Sequence, residues 1–346
     1  MTPLDGNRRY PLRKPDGHVP AVQRYSARLP HKIKQAVILF IGVQAQTAEA
    51  LRVSGFHDWM RRVAIGDDAP VNLEHAGFTD PQGWINQLVA LYWMDANSQA
   101  RWAQSEHVRA WWDRPEAISG PVGQWWEPVI VPPDRLETIV FREYLRGVSA
   151  CSHIAVKPMN ESGYWGAARD RIAASADDRM ASPLEKLQAR QATLNSRGAR
   201  LRVQPPLNLT VIKSGVSWEK CDTEQLGDWE RHLRPRLDAG MEFLRSNPEA
   251  TGCCSLRQVN CASPAGDALK EAYSLGHFLS LAHLEHWAEH HPTHLAIYTR
   301  AMADRRKYQE RLELRTYHEV FILDPDSAPF EYVNCHPGTG LLPFFG

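Results

Sequence analysis

Residues 311–323 read Arg-Leu-Glu-Leu-Arg-Thr-Tyr-His-Glu-Val-Phe-Ile-Leu, and the even positions are Leu312, Leu314, Thr316, His318, Val320 and Ile322. The odd positions are mostly charged or aromatic. Successive side chains of a strand point to opposite faces, so this period of two predicts a strand with one buried and one solvated face. Such alternation favours an antiparallel sheet, and it places His318 at the centre of the buried face. An imidazole among aliphatic side chains must find a partner; a structural hydrogen bond and acid–base catalysis are both open to it.

Working outward, strand signals recur at 36–43, 86–93, 147–156, 207–213 and 272–281. Helical periodicity falls at 47–64, 98–112, 182–197, 223–246, 281–291 and 293–309. The helix at 182 carries the fullest start signal: Ser182 as N-cap, Pro183 at the first helical position and Glu185 completing a capping box. Pro205 and Pro206 separate two halves, 36–204 and 205–346, that share an order of elements without a sequence repeat. Helices packed on an antiparallel sheet make an α+β fold. Residues 1–35 carry eight Lys or Arg against two Asp, with five prolines, and read as an irregular basic arm packed on the surface or disordered.

Composition narrows the function. The 40 basic residues are balanced by 40 acidic ones, which argues against a nucleic-acid binder and for a small-molecule partner. The longest apolar run, 36–43, is a buried strand and too short to span a membrane. Without a basic region followed by an apolar one at its start, the protein is expected in the cytoplasm, with its six cysteines reduced. No Cys-x-x-Cys-His occurs, which excludes covalent attachment of a c-type haem. The twelve tryptophans, two pairs of them adjacent, are expected in the core or at an interface.

Six of the fifteen histidines fall between 277 and 294. One continuous helix would align His283, His286, His290 and His294 as a metal-binding face, but Pro292 forbids it. The chain is expected to break at His291 and restart as a helix at Thr293. On that second helix His294, Ile297, Tyr298 and Ala301 form an apolar stripe, whereas His283, His286 and His290 face solvent. His294 is then either a hydrogen-bonded core residue or a ligand. The zinc-protease patterns His-Glu-x-x-His and His-x-x-Glu-His are both absent.

Five stretches occur in order: Phe-Arg-Glu ending at Glu143, Gly-Tyr-Trp-Gly-Ala-Ala-Arg-Asp-Arg at 163–171, Val-Ile-Lys-Ser-Gly-Val-Ser-Trp at 211–218, Pro-Thr-His ending at His294, and Thr-Tyr-His-Glu-Val around His318. Together they make the chain resemble the haem-containing aldoxime dehydratases, the phenylacetaldoxime dehydratase family, from about residue 35 to the end. The resemblance implies a b-type haem with His294 as its proximal ligand. It implies a distal pocket holding Ser214, with Ser217 as a substitute, His318, Glu143 and an arginine that is Arg169 or Arg171, Arg171 being preferred. The implied reaction removes water from an aldoxime to give a nitrile, the substrate nitrogen binding ferrous haem while His318 acts as general acid and then base. Ser214 would align the oxime hydroxyl, and the family tends to homodimers.

Two further readings keep the haem. A distal His and Arg also serve peroxidase-like or chlorite-decomposing chemistry, and a ligand His alone would serve a non-catalytic haem sensor. Haem families of that kind can share a ferredoxin-like α+β architecture, so the expected fold, two similar ferredoxin-like halves around a haem pocket, does not separate the two enzyme readings.

Overall fold

A computed structural model describes residues 8–188, 196–324 and 326–346. The first strand, β1 (Arg24–Arg28), is followed by β2 (Ala36–Ala45), β3 (Asn72–Thr79), β4 (Ile85–Trp93) and β5 (Gly123–Val131). Then come β6 (Leu136–Ile139), β7 (Ala155–Met159) and β8 (Arg200–Val203). The later strands are β9 (Thr210–Ser217), β10 (Cys253–Ala262), β11 (Ala268–Phe278), β12 (Arg315–Ile322) and β13 (Phe330–Val333). Helices α1 (Ala48–Val53) and α2 (Phe56–Val63) follow β2, and α3 (Ala96–Gln104) and α4 (Glu106–Trp112) follow β4. A short α5 (Ala167–Arg171) precedes the second half. There α6 (Thr223–Asp228) runs through a π turn into α7 (Arg234–Ser246), α8 (Pro248–Thr251) is a single turn, and α9 (Leu281–His290) and α10 (Pro292–Tyr308) join β11 to β12.

Eleven strands form one sheet in the order β6-β12-β9-β11-β10-β3-β4-β2-β5-β13-β8, every pairing antiparallel. In β2–β5 the strands lie side by side as fourth, first, third and second of the set, and β9–β12 repeat that order. The two sets join through β10 and β3. Each also receives a strand from the other half of the sequence: β6 pairs with β12, and β13 pairs with β5.

One face of each set packs against the other, with Phe40, Leu88, Tyr92 and Trp125 meeting Val259, Tyr273, Leu275 and Phe321. This doubling corrects the expectation of a solvated face on β12. Tyr317, Glu319 and Phe321, the odd positions, are buried between the sets, where Glu319 lies beside Lys213 and accepts from Tyr92 Oη at 3.1 Å. The outward faces of both sets are covered by helices.

Other expectations shift for local reasons. The helix over 47–64 divides at Gly55, whose φ of 70° lies in the left-handed region that glycine adopts freely. Ser105 divides 98–112 by taking an extended conformation. The strand over 147–156 is instead a 3₁₀ turn from Gly147 to Ala150, with β7 beginning at Ala155 and pairing with β1. Ser182 makes its local bond to the Leu184 amide at 3.0 Å, yet residues 182–188 form no helix, and Leu187 is drawn into the core between the sets. The rest of that expected helix falls partly on 189–195, outside the described residues. The break before Pro292 is present, with α10 starting one residue earlier than expected. All six cysteines are free thiols. Among the described residues no helix is long and apolar enough to cross a membrane.

Candidate active site

Between the outward face of β6, β12, β9 and β11 and helices α7, α9 and α10 lies a cavity of about 690 Å³. Its sheet wall is set by register. His318 on β12 pairs with Ser214 on β9, and Ser214 pairs with Ser274 on β11, so three polar side chains form a row across three strands. Val320, Ile139, Ile212 and Gly276 continue the same wall. On the helix side stand Leu237, Met241, Leu284, Trp287 and the stripe His294, Ile297 and Tyr298. That stripe lines the cavity, Ile297 also packs with Ala301 against the cluster around Trp229 and Leu314, and α10 fully buries only Asp304 and Tyr308.

His294 has the geometry of a ligand. Its Nδ1 donates to the Ala288 carbonyl at 2.7 Å, which fixes the tautomer and leaves Nε2 with its lone pair free. Burial lowers its pKa, against the opposing effect of that carbonyl, so the ring is held neutral. Trp287 and Trp165 set their edges against it, with ring centroids 4.7 and 5.7 Å away. The other histidines of the window lie outside this contact, and His277 is buried on β11 with its Nε2 3.8 Å from Glu127. His291 caps α10 and stacks on Phe243, His283 is half-buried and bonded to Ser280 Oγ at 2.8 Å, and His286 and His290 are exposed. Among the described residues no group of three or more His, Cys, Asp or Glu side chains could hold a metal ion by itself.

His318 heads a charged cluster. Its Nε2 lies 2.8 Å from Arg171 Nη2 and 2.9 Å from Glu137 Oε1. Arg171 also gives Nε to Glu137 Oε2 at 2.7 Å and Nη1 to the Glu161 carbonyl at 2.6 Å. One nitrogen cannot accept from the guanidinium and donate to the carboxylate at once. Neutral, it accepts a hydrogen bond from Arg171 Nη2 and leaves Glu137 Oε1 without a donor; protonated, it donates to Glu137 Oε1. Burial lowers the His318 pKa, with Glu137 raising it and Arg171 and Arg24 lowering it. Burial alone would raise the Glu137 carboxyl, but Arg171 and His318 outweigh it and hold the group at about 2.

The expected distal residues thus divide. Ser214, Arg171, His318 and His294 share the cavity. Arg169 does not line it; its Nε and Nη2 both donate to Glu285 Oε2, at 2.9 and 2.6 Å. Glu143 is placed outside the cavity: its side chain is 54% exposed and pairs with Arg315 at 3.2 Å. The carboxylate beside His318 is Glu137, carried in by the pairing of β6 with β12. Its sequence signal is a lone acid in the apolar run Leu136-Glu137-Thr138-Ile139-Val140. Ser217, the substitute for Ser214, instead packs on the other face, bonded to the Lys270 carbonyl at 3.3 Å.

A largely apolar cavity thus brings together an imidazole whose Nδ1 is held by a carbonyl and a separate cluster of His318, Arg171 and Glu137. The family model of the haem-containing dehydratases matches residues 40–341. The chain is 35% identical over 339 residues to an aliphatic aldoxime dehydratase of Rhodococcus globerulus, spanning 95% of this chain and 93% of that one. It is 30% identical over 333 residues to the phenylacetaldoxime dehydratase of Bacillus sp. (strain OxB-1), spanning 96% and 94%. A crystal structure of an aldoxime dehydratase in complex with butyraldoxime superposes with a TM-score of 0.88 at 32% identity, covering 99% of this chain and 95% of that one. The chain belongs to the haem-containing dehydratase family. It is a lyase, and its cofactor is haem.

Proposed function

We propose that this enzyme dehydrates aldoximes to nitriles in the cavity, with a b-type haem held by His294 Nε2 and with His318, Arg171, Glu137 and Ser214 as its distal groups. The donor set fits the cofactor: an imidazole with a fixed tautomer, aromatic rings around it and a largely apolar lining. Held there by His294, ferrous haem would supply an acceptor for the oxime nitrogen and electron density for breaking the N–O bond. Ser214 lies beside His318 in register and holds the oxime hydroxyl by a hydrogen bond. His318 gives a proton to that oxygen, the N–O pair leaves with it as water, and the ring then takes the proton from carbon as the C–H pair becomes the third C–N bond. Glu137 Oε1 accepts the Nε2–H hydrogen bond when the ring is charged, and Arg171 Nη2 donates a hydrogen bond to Nε2 when it is neutral. Both states are therefore satisfied, which a group that gives and regains a proton requires.

Family membership favours dehydration over peroxidase-like or sensor roles. The shared strand order of β2–β5 and β9–β12 supports a reading as two ferredoxin-like repeats around the haem pocket, and the two-half division belongs to the same proposal. So does a cytoplasmic homodimer, which sedimentation of the purified enzyme checks. The observation that carries the function is His318 Nε2 standing between a donor and an acceptor. Folded, haem-loaded His318→Ala is expected to show the aldoxime-induced spectral shift while turning over at least about 10²-fold slower; a parental rate would end the assignment. His294→Ala is expected to abolish stoichiometric haem, with His290→Ala retaining it. Full haem in His294→Ala would move the ligand elsewhere.

A further inference from the structure

The basic arm that the sequence sets apart has a place at the cavity. Arg13 and Pro15 line it, although the family match begins only at residue 40. The buried Asp170 carboxylate accepts from the Arg13 amide at 3.0 and 2.9 Å, from the Lys14 amide at 3.0 Å and from Tyr164 Oη at 2.8 Å. Around that knot, His18 Nε2 meets the Ser162 carbonyl at 2.8 Å, and the Tyr10 amide donates to the Ala176 carbonyl at 2.9 Å. Lys14 Nζ is 3.4 Å from Glu161, whose carbonyl holds Arg171. Gly166, with φ of 90°, lies so close that a Cβ there would come within 2.5 Å of Arg13 Cδ. From this anchorage Arg13 reaches Glu289 on α9 at 2.8 Å. Residues 8–18 therefore cross from the 161–176 segment, which carries Trp165 and Arg171, to the helix that precedes His294.

A b-type haem has no covalent tether, so its retention depends on the walls around it. The sheet wall is a continuous hydrogen-bonded ladder and the helix wall is made of whole helices. The arm is held only by side-chain and scattered main-chain bonds, and elements of that kind open first. We propose that residues 8–18 are a strap that closes the haem cavity, that Asp170 is the positioning residue that fastens it, and that haem enters and leaves by its release. The inference rests on the reading that this cavity holds the haem.

The test is the rate of haem transfer from full-length holoenzyme to excess apomyoglobin, followed at the Soret band. Asp170→Asn keeps the volume and removes the charge that two amides and a phenol share, so transfer is expected to be about tenfold faster. Arg13→Ala removes only the exposed tie to α9 and is expected to give about threefold. Arg52→Ala, which breaks an exposed pair on α1, leaves the rate at the parental value. Trypsin on the parental protein gives an arm that needs no variant to fold: cleavage after Arg13 should be slower with haem than without. Parental transfer rates in both strap variants, or equal cleavage with and without haem, would overturn the strap. Full haem in His294→Ala would instead overturn the location of the haem.

Discussion

The two four-strand sets share one strand order, yet the helix layer over β2–β5 is sealed and the layer over β9–β12 holds a cavity. Over the first set the sheet presents Val37, Leu39, Ile41 and Val43, and the helices answer with Trp59, Trp102 and Trp112. Trp59 stacks on Trp111 and Trp102 on Trp126, with centroids 4.3 and 5.6 Å apart, and Trp112 meets Trp126 edge-on at 5.0 Å. Trp102 Nε1 also reaches the Val63 carbonyl at 2.6 Å. Over the second set the corresponding wall presents His318, Ser214, Ser274 and Gly276, side chains too small and too polar to fill the layer. The backbone pattern is the same; the side chains decide whether the layer becomes core or site.

Truncating an indole in each layer should give the largest contrast. Trp112 is fully buried and donates to Glu331 at 2.9 Å, so Trp112→Ala is expected to cost about 3–5 kcal/mol by urea denaturation. Trp165 stands at the cavity wall, half-buried between His294 and Tyr298. Trp165→Ala should cost under about 1 kcal/mol in the haem-free protein and act instead on haem binding. Equal losses of stability would mean that the second layer is packed like the first.

The next contrast lies within the second layer. Glu137→Gln keeps the shape but cannot offer the imidazolium a charged partner, so a rate loss of about tenfold or more is expected with haem content unchanged. The same variant has a pH signature. Because the Glu137 carboxyl is held at about 2 in the fold, below the ordinary 4.5, its contribution to stability is present above about 4.5 and is lost as pH falls toward 2. Glu137→Gln removes that limb, so its acid unfolding curve should be flatter than the parent's between those values. A parental acid curve would detach Glu137 from the charge balance of the site.

Much of this was legible in the sequence where one physical signal acted alone. The apolar run at 36–43 is β2 with both faces buried, and Pro292 breaks the histidine-rich helix by removing a donor. The alternation over 311–323 placed His318 on the right face but misjudged the other, because nothing local reports that the sheet doubles on itself. Arg169 and Arg171 lie two residues apart on α5, so about 200° of helical turn sends them to opposite sides. Choosing between them required the turn at Gly166 that starts the helix. Glu137 was overlooked because its partners come from β12 and α5, far along the chain, while Glu143 sits in a more conspicuous motif.

Glu143 supplies the smallest expected effect and the sharpest check on that substitution of one carboxylate for another. Its side chain is 54% exposed, and Arg315, its partner at 3.2 Å, also pairs with Glu313 at 3.1 Å. Losing one of two exposed carboxylates around an arginine changes stability by about 0.5 kcal/mol or less, since water screens such pairs and the second partner remains. Glu143→Gln should therefore leave haem content, the aldoxime spectral shift and the single-turnover rate at parental values, whereas Glu137→Gln loses rate. If the rate fell in Glu143→Gln and held in Glu137→Gln, the carboxylate beside His318 would be structural. The reacting pocket would then open toward the β12 edge at Arg315, and the row of His318, Ser214 and Ser274 would have to be read as floor rather than as site.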